Sequence, residues 1–380
     1  MASRFLSLLT CCTLLAAGVT PALAQVGSAA PVQSANLPPP DIFTSGLADT
    51  GLPPELWKGT SAALAKQVLT LIAAKPLQPG AQSLAYRLLA TGAPAPDGAG
   101  DDLDLGGARA EALLALGDAS GVTRLLDRAP NIQSSARMSH AAAEAALYSG
   151  DDDKACRVGD ALTQGRDDVY WLRLRSYCQL RANDVDGAHL TFNLAQTTMR
   201  DPVYGRLMGA RLAGGAGQPG KASSRNGLEY ALSRSLGLET PPPPALSAVT
   251  AAPTRFDPGL RLTPELLDTA RDGAPEARKA AQGTVVLLVA LGASLDDARR
   301  AEAANYALET RAAPGRLIAL NLAAAQGLKA ETILLVLAIC AEAGPKGPPA
   351  ADRVQLVAAL FKVGLADDAW RIALDGLPPL

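Results

Sequence analysis

Residues 112–126 read ALLALGDASGVTRLL, residues 141–162 read AAAEAALYSGDDDKACRVGDAL, and residues 171–195 read WLRLRSYCQLRANDVDGAHLTFNLA. Each is an apolar run, a short polar pair and a second apolar run. The pairs Gly117-Asp118, Gly150-Asp151 and Asn183-Asp184 recur every 33 residues. Gly and Asn accept the left-handed backbone that ends a helix, and the Asp after them caps the next one. Each unit therefore reads as helix, tight turn, helix. A fixed period of this length predicts an α-solenoid of stacked antiparallel helix pairs, each burying its apolar face against its neighbours.

The composition agrees. Apolar residues make up 48% of the chain but aromatics only 4%, so the core is built mainly of Ala and Leu. That mixture suits close-packed helices better than sheets, which favour β-branched and aromatic residues. At 380 residues the chain exceeds one compact core, and two helical parts are expected.

The amino terminus has the pattern of a signal peptide: Arg4, an apolar run from Phe5 to Val19, then Pro21 and Ala22-Leu23-Ala24. Cleavage after Ala24 makes residues 1–24 a removed leader and places the mature chain in the periplasm or outside the cell. Losing Arg4 takes the net charge from −2 to −3. No clustered basic face for nucleic acid is visible, and no later stretch is long and apolar enough to span a bilayer. The best candidate, Thr332 to Ile339, is bounded by Glu331 and Glu342.

Residues 25–52 read as a linker rich in Pro, Ala and Ser. Pro53-Pro54-Glu55 is expected to open a helix carrying Leu56, Leu64 and Val68, and Ala81 to Ala90 make the next. The repeat segment lies within an N-terminal helical part, residues 53–240. A Pro-rich boundary follows at 241–258, then a second helical part at 259–380 that starts at Thr263-Pro264-Glu265 and turns at Gly292, Gly327 and Gly364.

The repeats resemble tetratricopeptide-type (TPR-like) units. That family carries a small residue in the first helix, met here by Ala110, Ala143 and Ser176. After the turn it carries another, met by Val122, Ala155 and Ala188, and a later one met by Ala129 and Ala195. Leu172 alone matches the early large residue, the closing Pro is absent, and the period is one residue short. The resemblance covers about 95 residues and implies a concave face of inner helices that grips a protein or peptide partner. Its implied binding residues are Glu111, His140, Glu144, Tyr148, Tyr170, Arg173, Tyr177 and Arg181, with Leu114, Leu147 and Leu180 among them. The phrase Tyr170 to Cys178 is also similar to a segment of uncharacterised exported helical proteins of alphaproteobacteria.

Catalytic signatures are weak. Gly215 to Lys221 spells a P-loop, but Ala222 stands where Ser or Thr must hold magnesium, and the residues before it read as helix. His140 and His189 are the only histidines, too few for a metal site, and His140 with Glu144 one turn away reads as a solvated helix pair. The runs Asp101-Asp102 and Asp151 to Asp153 sit where helices begin and read as caps. No nucleophile elbow is present. No cofactor or metal is expected, and the chain reads as non-enzymatic. A carboxylate pair meeting in space would leave an envelope hydrolase as the alternative, and a structural part of a surface appendage is a third.

Three cysteines outlast the leader: Cys156, Cys178 and Cys340. Cys156 lies in the second helix of one unit and Cys178 in the first helix of the next, each about 9 to 11 residues from the turn between them. At about 1.5 Å per residue they stand level along antiparallel helices, so a disulfide is expected; two buried thiols are the rival. Cys340 reads as a core residue.

Overall fold

A computed structural model describes residues 41–100, 102–215, 217–242 and 253–379. The expected leader, most of the expected linker and the centre of the Pro-rich stretch lie outside them. The described residues form seventeen α-helices and no strand.

The three repeat turns take the form that their residues dictate. Helix α3 (Leu103–Ala115) ends at Gly117, φ 91°, and Asp118 caps α4 (Ala119–Leu126) by accepting the Gly121 N–H at 2.8 Å. Helix α5 (Ala136–Ser149) ends at Gly150, and Asp151 caps α6 (Asp152–Ala161). Helix α7 (Val169–Arg181) ends at Asn183, φ 64°, and Asp184 caps α8 (Val185–Thr198). At each turn the Asp N–H bonds back five residues and the Gly or Asn N–H three, the paired closure that satisfies a helix's last carbonyls. Gly292, Gly327 and Gly364 close their helices the same way, without an Asp cap.

Two local expectations need correction. Residues 54–59 form turns, and α1 runs Ala62–Ala74, since Gly59, φ 76°, leaves the helical region. Residues 41–52 are not free linker. Phe43 is buried, and its segment pairs with the end of α2 (Pro79–Ala90): Leu47 N–H bonds Ala90 O at 2.8 Å and Ala93 N–H bonds Phe43 O at 3.0 Å. Gly92 is required there, because a Cβ would stand 2.6 Å from Gly46 N and 2.7 Å from Thr44 O.

Arg109 of α3 locks this segment in place. Its guanidinium is fully buried and forms no ion pair among the described residues, the Asp41 carboxylate acting on it only at longer range. Instead it donates to the carbonyls of Ile42, Ser45, Leu89 and Thr91, and it lies 5.3 Å from the Phe43 ring centroid. Burial pulls its pKa down to about 10, so it remains charged at neutral pH.

From Asp41 onward the described residues belong to one compact unit. After α9 (Pro202–Leu212) and α10 (Gly227–Ser235), the chain resumes with α11 (Pro264–Asp272), α12 (Pro275–Ala290), α13 (Asp297–Ala303) and α14 (Pro314–Ala325). It ends with α15 (Lys329–Ala343), α16 (Ala350–Lys362) and α17 (Ala366–Leu374). The largest core joins Leu56, Leu69, Leu84 and Leu113 to Leu334, Val336, Leu356 and Ile372. The Pro-rich stretch therefore does not separate two cores. Helix α15, apolar around its whole circumference, is the buried centre, packed on α1, α2 and α14. Among the described residues no helix is long and apolar enough to cross a membrane.

Polar contacts tie α2 to the last two helices and the turn after them. Arg87 of α2 pairs with the buried Asp368 of α17, Arg353 donates to Gln78 Oε1 at 2.8 Å, and Asp375 accepts the Gly80 N–H at 2.9 Å. Burial pushes the Asp375 carboxyl up to about 6 against 3.8, despite the Gly80 and Ala81 N–H groups and Arg353. The folded chain thus holds this proton more tightly than the unfolded chain between those values, and stability falls as pH rises through them. Two pKa units correspond to roughly 2–3 kcal/mol. Asp375→Asn, which keeps an acceptor for Gly80, is expected to raise the melting temperature above pH 6.5 and to match wild type near pH 4. Parallel melting curves across that range would refute the assignment.

Candidate functional site

The residues implied as a concave binding face do converge, but the chain itself fills the space before them. The segment from Ser223 to Ser235, ending in α10, lies along α5. Its start is held by Glu144, a buried carboxylate that accepts the N–H groups of Gly227 and Leu228, the latter at 3.3 Å, and the Tyr170 hydroxyl at 2.9 Å. An anion at the first free N–H groups of a helix satisfies them and complements the helix dipole. Glu144 is therefore not a solvated partner of His140; it anchors α10 from another helix.

The neighbouring residues continue the anchor. Tyr148 donates to Ser224 O at 3.3 Å, and its ring lies 5.8 Å from that of Tyr230. Burial, with the Glu144 and Glu229 carboxylates nearby, raises its pKa well above the usual phenol value. Burial and Glu144 also raise that of Tyr170. Tyr177 is buried and donates to Asp152 Oδ2 at 3.0 Å; burial and that carboxylate push it up to about 12. Arg181 reaches Asp152 at 3.2 Å and Asp153 at 2.7 Å, and Arg234 of α10 closes on the other oxygen of Asp152 at 2.6 Å. Arg173 donates to Met199 O at 2.9 Å and stands 3.5 Å from Asp201.

Glu111 and His140 occupy the edge of this cluster. Glu111 binds Arg137 and lies 3.8 Å from His140 Nδ1, while the His140 ring meets Tyr170 edge-on with centroids 4.2 Å apart. Desolvation works against the imidazolium, yet Glu111, Glu144 and Asp168 outweigh it and hold the His140 pKa above its ordinary value.

The sequence reading overlooked Asp152, Ser224, Arg234 and the α10 N–H groups. Asp152 was visible only as one of three cap residues; its role depends on Arg234, 82 residues away. The Asn226-Gly227-Leu228-Glu229 start announces a helix but not where it docks.

On the far side of α7, Cys156 and Cys178 form a disulfide that joins α6 to α7, with Cα atoms 5.6 Å apart. The level placement expected from residue counting is what allows it. Closing a 22-residue separation restricts the unfolded chain by about 3 kcal/mol. Replacing both cysteines with alanine is expected to lower stability by about that amount, read from urea unfolding; an unchanged midpoint would show that the bridge contributes nothing. Cys340 is a buried free thiol, pushed by burial up to about 12.

Two other motifs resolve simply. The glycine-rich stretch that begins at Gly214 follows helix α9, so no strand precedes it as a P-loop requires. Among the described residues no group of three or more His, Cys, Asp or Glu is placed to hold a metal ion. The fold and site thus define an all-α protein of packed helix pairs in which α10 packs along α5. No protein-family profile matches the chain, and neither a curated protein nor a solved structure matches it.

Proposed function

We propose that this chain is a non-enzymatic adaptor of the bacterial cell envelope, a TPR-like α-solenoid that holds a protein or peptide partner in the periplasm. Three like helix-turn-helix units at a constant spacing support the repeat reading, and a disulfide suits an oxidising compartment. The observation that carries a binding role is the outer face of α8. Leu190 is 74% exposed, Leu194 one turn on is 52% exposed, and Met199 at the helix end is 58% exposed. Ala188 and Ala195 are buried and Phe192 packs toward Tyr204 on the opposite side, so Leu190 and Leu194 do little for the core.

The test is capture from cross-linked cells by the full chain and by the Leu190→Asp/Leu194→Asp variant. The adaptor reading expects a partner that the variant loses while its melting temperature holds. Equal recovery by both would sink the assignment to α8.

A second reading, hydrolysis of an envelope polymer, draws on one cleft of about 340 Å³ lined by both Asp375 and Glu309. Their carboxyls are shifted oppositely: burial raises Asp375, while hydrogen bonds from Arg311 and Lys279 lower Glu309. Opposed shifts in one cleft are what an acid and a base require. Clearing of peptidoglycan by purified protein, lost in Asp375→Asn, would favour this reading over the adaptor.

A further inference from the structure

We infer that a cleft between α11, the first turns of α12 and the chain leaving α13 binds the carboxylate of an acidic peptide segment. Pro275, Arg278, Lys279 and Gln282 share one face of α12, being three, four and seven residues apart, and form one wall. Arg271, Glu302, Asn305 and Tyr306 line the rest of a space of about 440 Å³. That lies within the range of roughly 300–1,000 Å³ in which small ligands are held.

The charges in this lining are mostly spent. Arg271 is paired with Asp268 and Asp272, Lys279 with Glu309, and Glu302 through Oε2 with Arg299, while its buried Oε1 has no donor among the described residues. Arg278 is the one cation of the lining without such a partner. Its side chain is exposed, and its guanidinium has no ion pair or hydrogen bond with any described residue. It also sits near the start of α12, where the helix dipole disfavours a cation. An incoming carboxylate would relieve both conditions, and a guanidinium matches one bidentately.

The amides in the lining argue for a peptide over a bare anion. Gln282 Nε2 donates to Ala270 O at 2.9 Å, and Asn305 Nδ2 to Ala301 O at 2.8 Å. Both amide oxygens are left without a donor from the described residues. A ligand with N–H groups beside a carboxylate uses the acceptors and the cation together. This site is distinct from the α8 face, and the inference stands or falls without it.

The test measures fluorescence polarisation of a labelled Gly-Ala-Glu-Glu-Ala-Gly peptide with the full chain, beside its Gln-for-Glu counterpart. Saturable binding is expected, at least about tenfold weaker for the Gln peptide and for Arg278→Ala, the size of one charge-assisted hydrogen bond. Gln282→Ala should weaken it less, and Arg128→Ala, an exposed arginine elsewhere, should not change it. The circular-dichroism melt of Arg278→Ala should match wild type. Equal affinity for the two peptides, or unchanged binding by Arg278→Ala, overturns the proposal. So does inorganic phosphate competing as well as unlabelled Glu peptide, since that would mark a bare-anion site.

Discussion

Arg109→Met should lower the unfolding free energy by about 3–5 kcal/mol, the largest effect expected of any single substitution here. Methionine fills much of the arginine's volume, so the loss isolates the guanidinium. Its removal strands the carbonyls of Ile42, Ser45, Leu89 and Thr91, around a site that water does not reach. Each buried group left unpaired costs about 1–3 kcal/mol, moderated where the backbone relaxes toward solvent. Relaxation has a direction: residues 41–47, held by Arg109 and a few main-chain bonds, should detach first. Urea unfolding gives the magnitude, and limited proteolysis gives the place, with new cleavage between Asp41 and Leu52. A variant within 1 kcal/mol of wild type, or one cut elsewhere first, would show that the buried guanidinium is not what holds this segment.

Glu144→Ala comes next, at about 4 kcal/mol. The carboxylate has three donors, Tyr170 Oη and the Gly227 and Leu228 N–H groups, and almost no exposure. Alanine leaves all three without an acceptor inside a second, smaller core that gathers Leu147, Trp171, Tyr204 and Leu232. The effect should be local in hydrogen exchange. Amides of α10 lose protection, while those of α1, α2 and α15, which belong to the other core, keep theirs. Glu144→Gln retains one oxygen and should cost about half as much. Uniform loss of protection across both cores would mean that Glu144 supports the whole fold and not the docking of α10.

The same two residues show where sequence reading succeeds and where it stops. The Gly-Asp and Asn-Asp pairs announced three helix-turn-helix units correctly, because a left-handed residue and an adjacent cap act within a few bonds of their own backbone. The helix start at Thr263 was legible for the same reason. Glu144, one turn from His140, was equally visible but misread as a solvated pair. Its partners sit 83 and 84 residues on, and no local rule relates them. Arg109 gave no signal, since its acceptors are main-chain carbonyls that every residue possesses.

Sequence alone was enough for the all-α class, the position of three helix-turn-helix turns and the level placement of Cys156 and Cys178, since each follows from local conformation and residue spacing. Tertiary structure alone decided that the last helices share a core with the first, that residues 41–52 belong to the folded body, and that α10 packs along α5. Apolar helix faces specify only that they must be covered. Which face covers which is settled by shape and by buried polar partners such as Arg87 with Asp368 and Glu144 with α10, and those contacts exist only once the chain has folded.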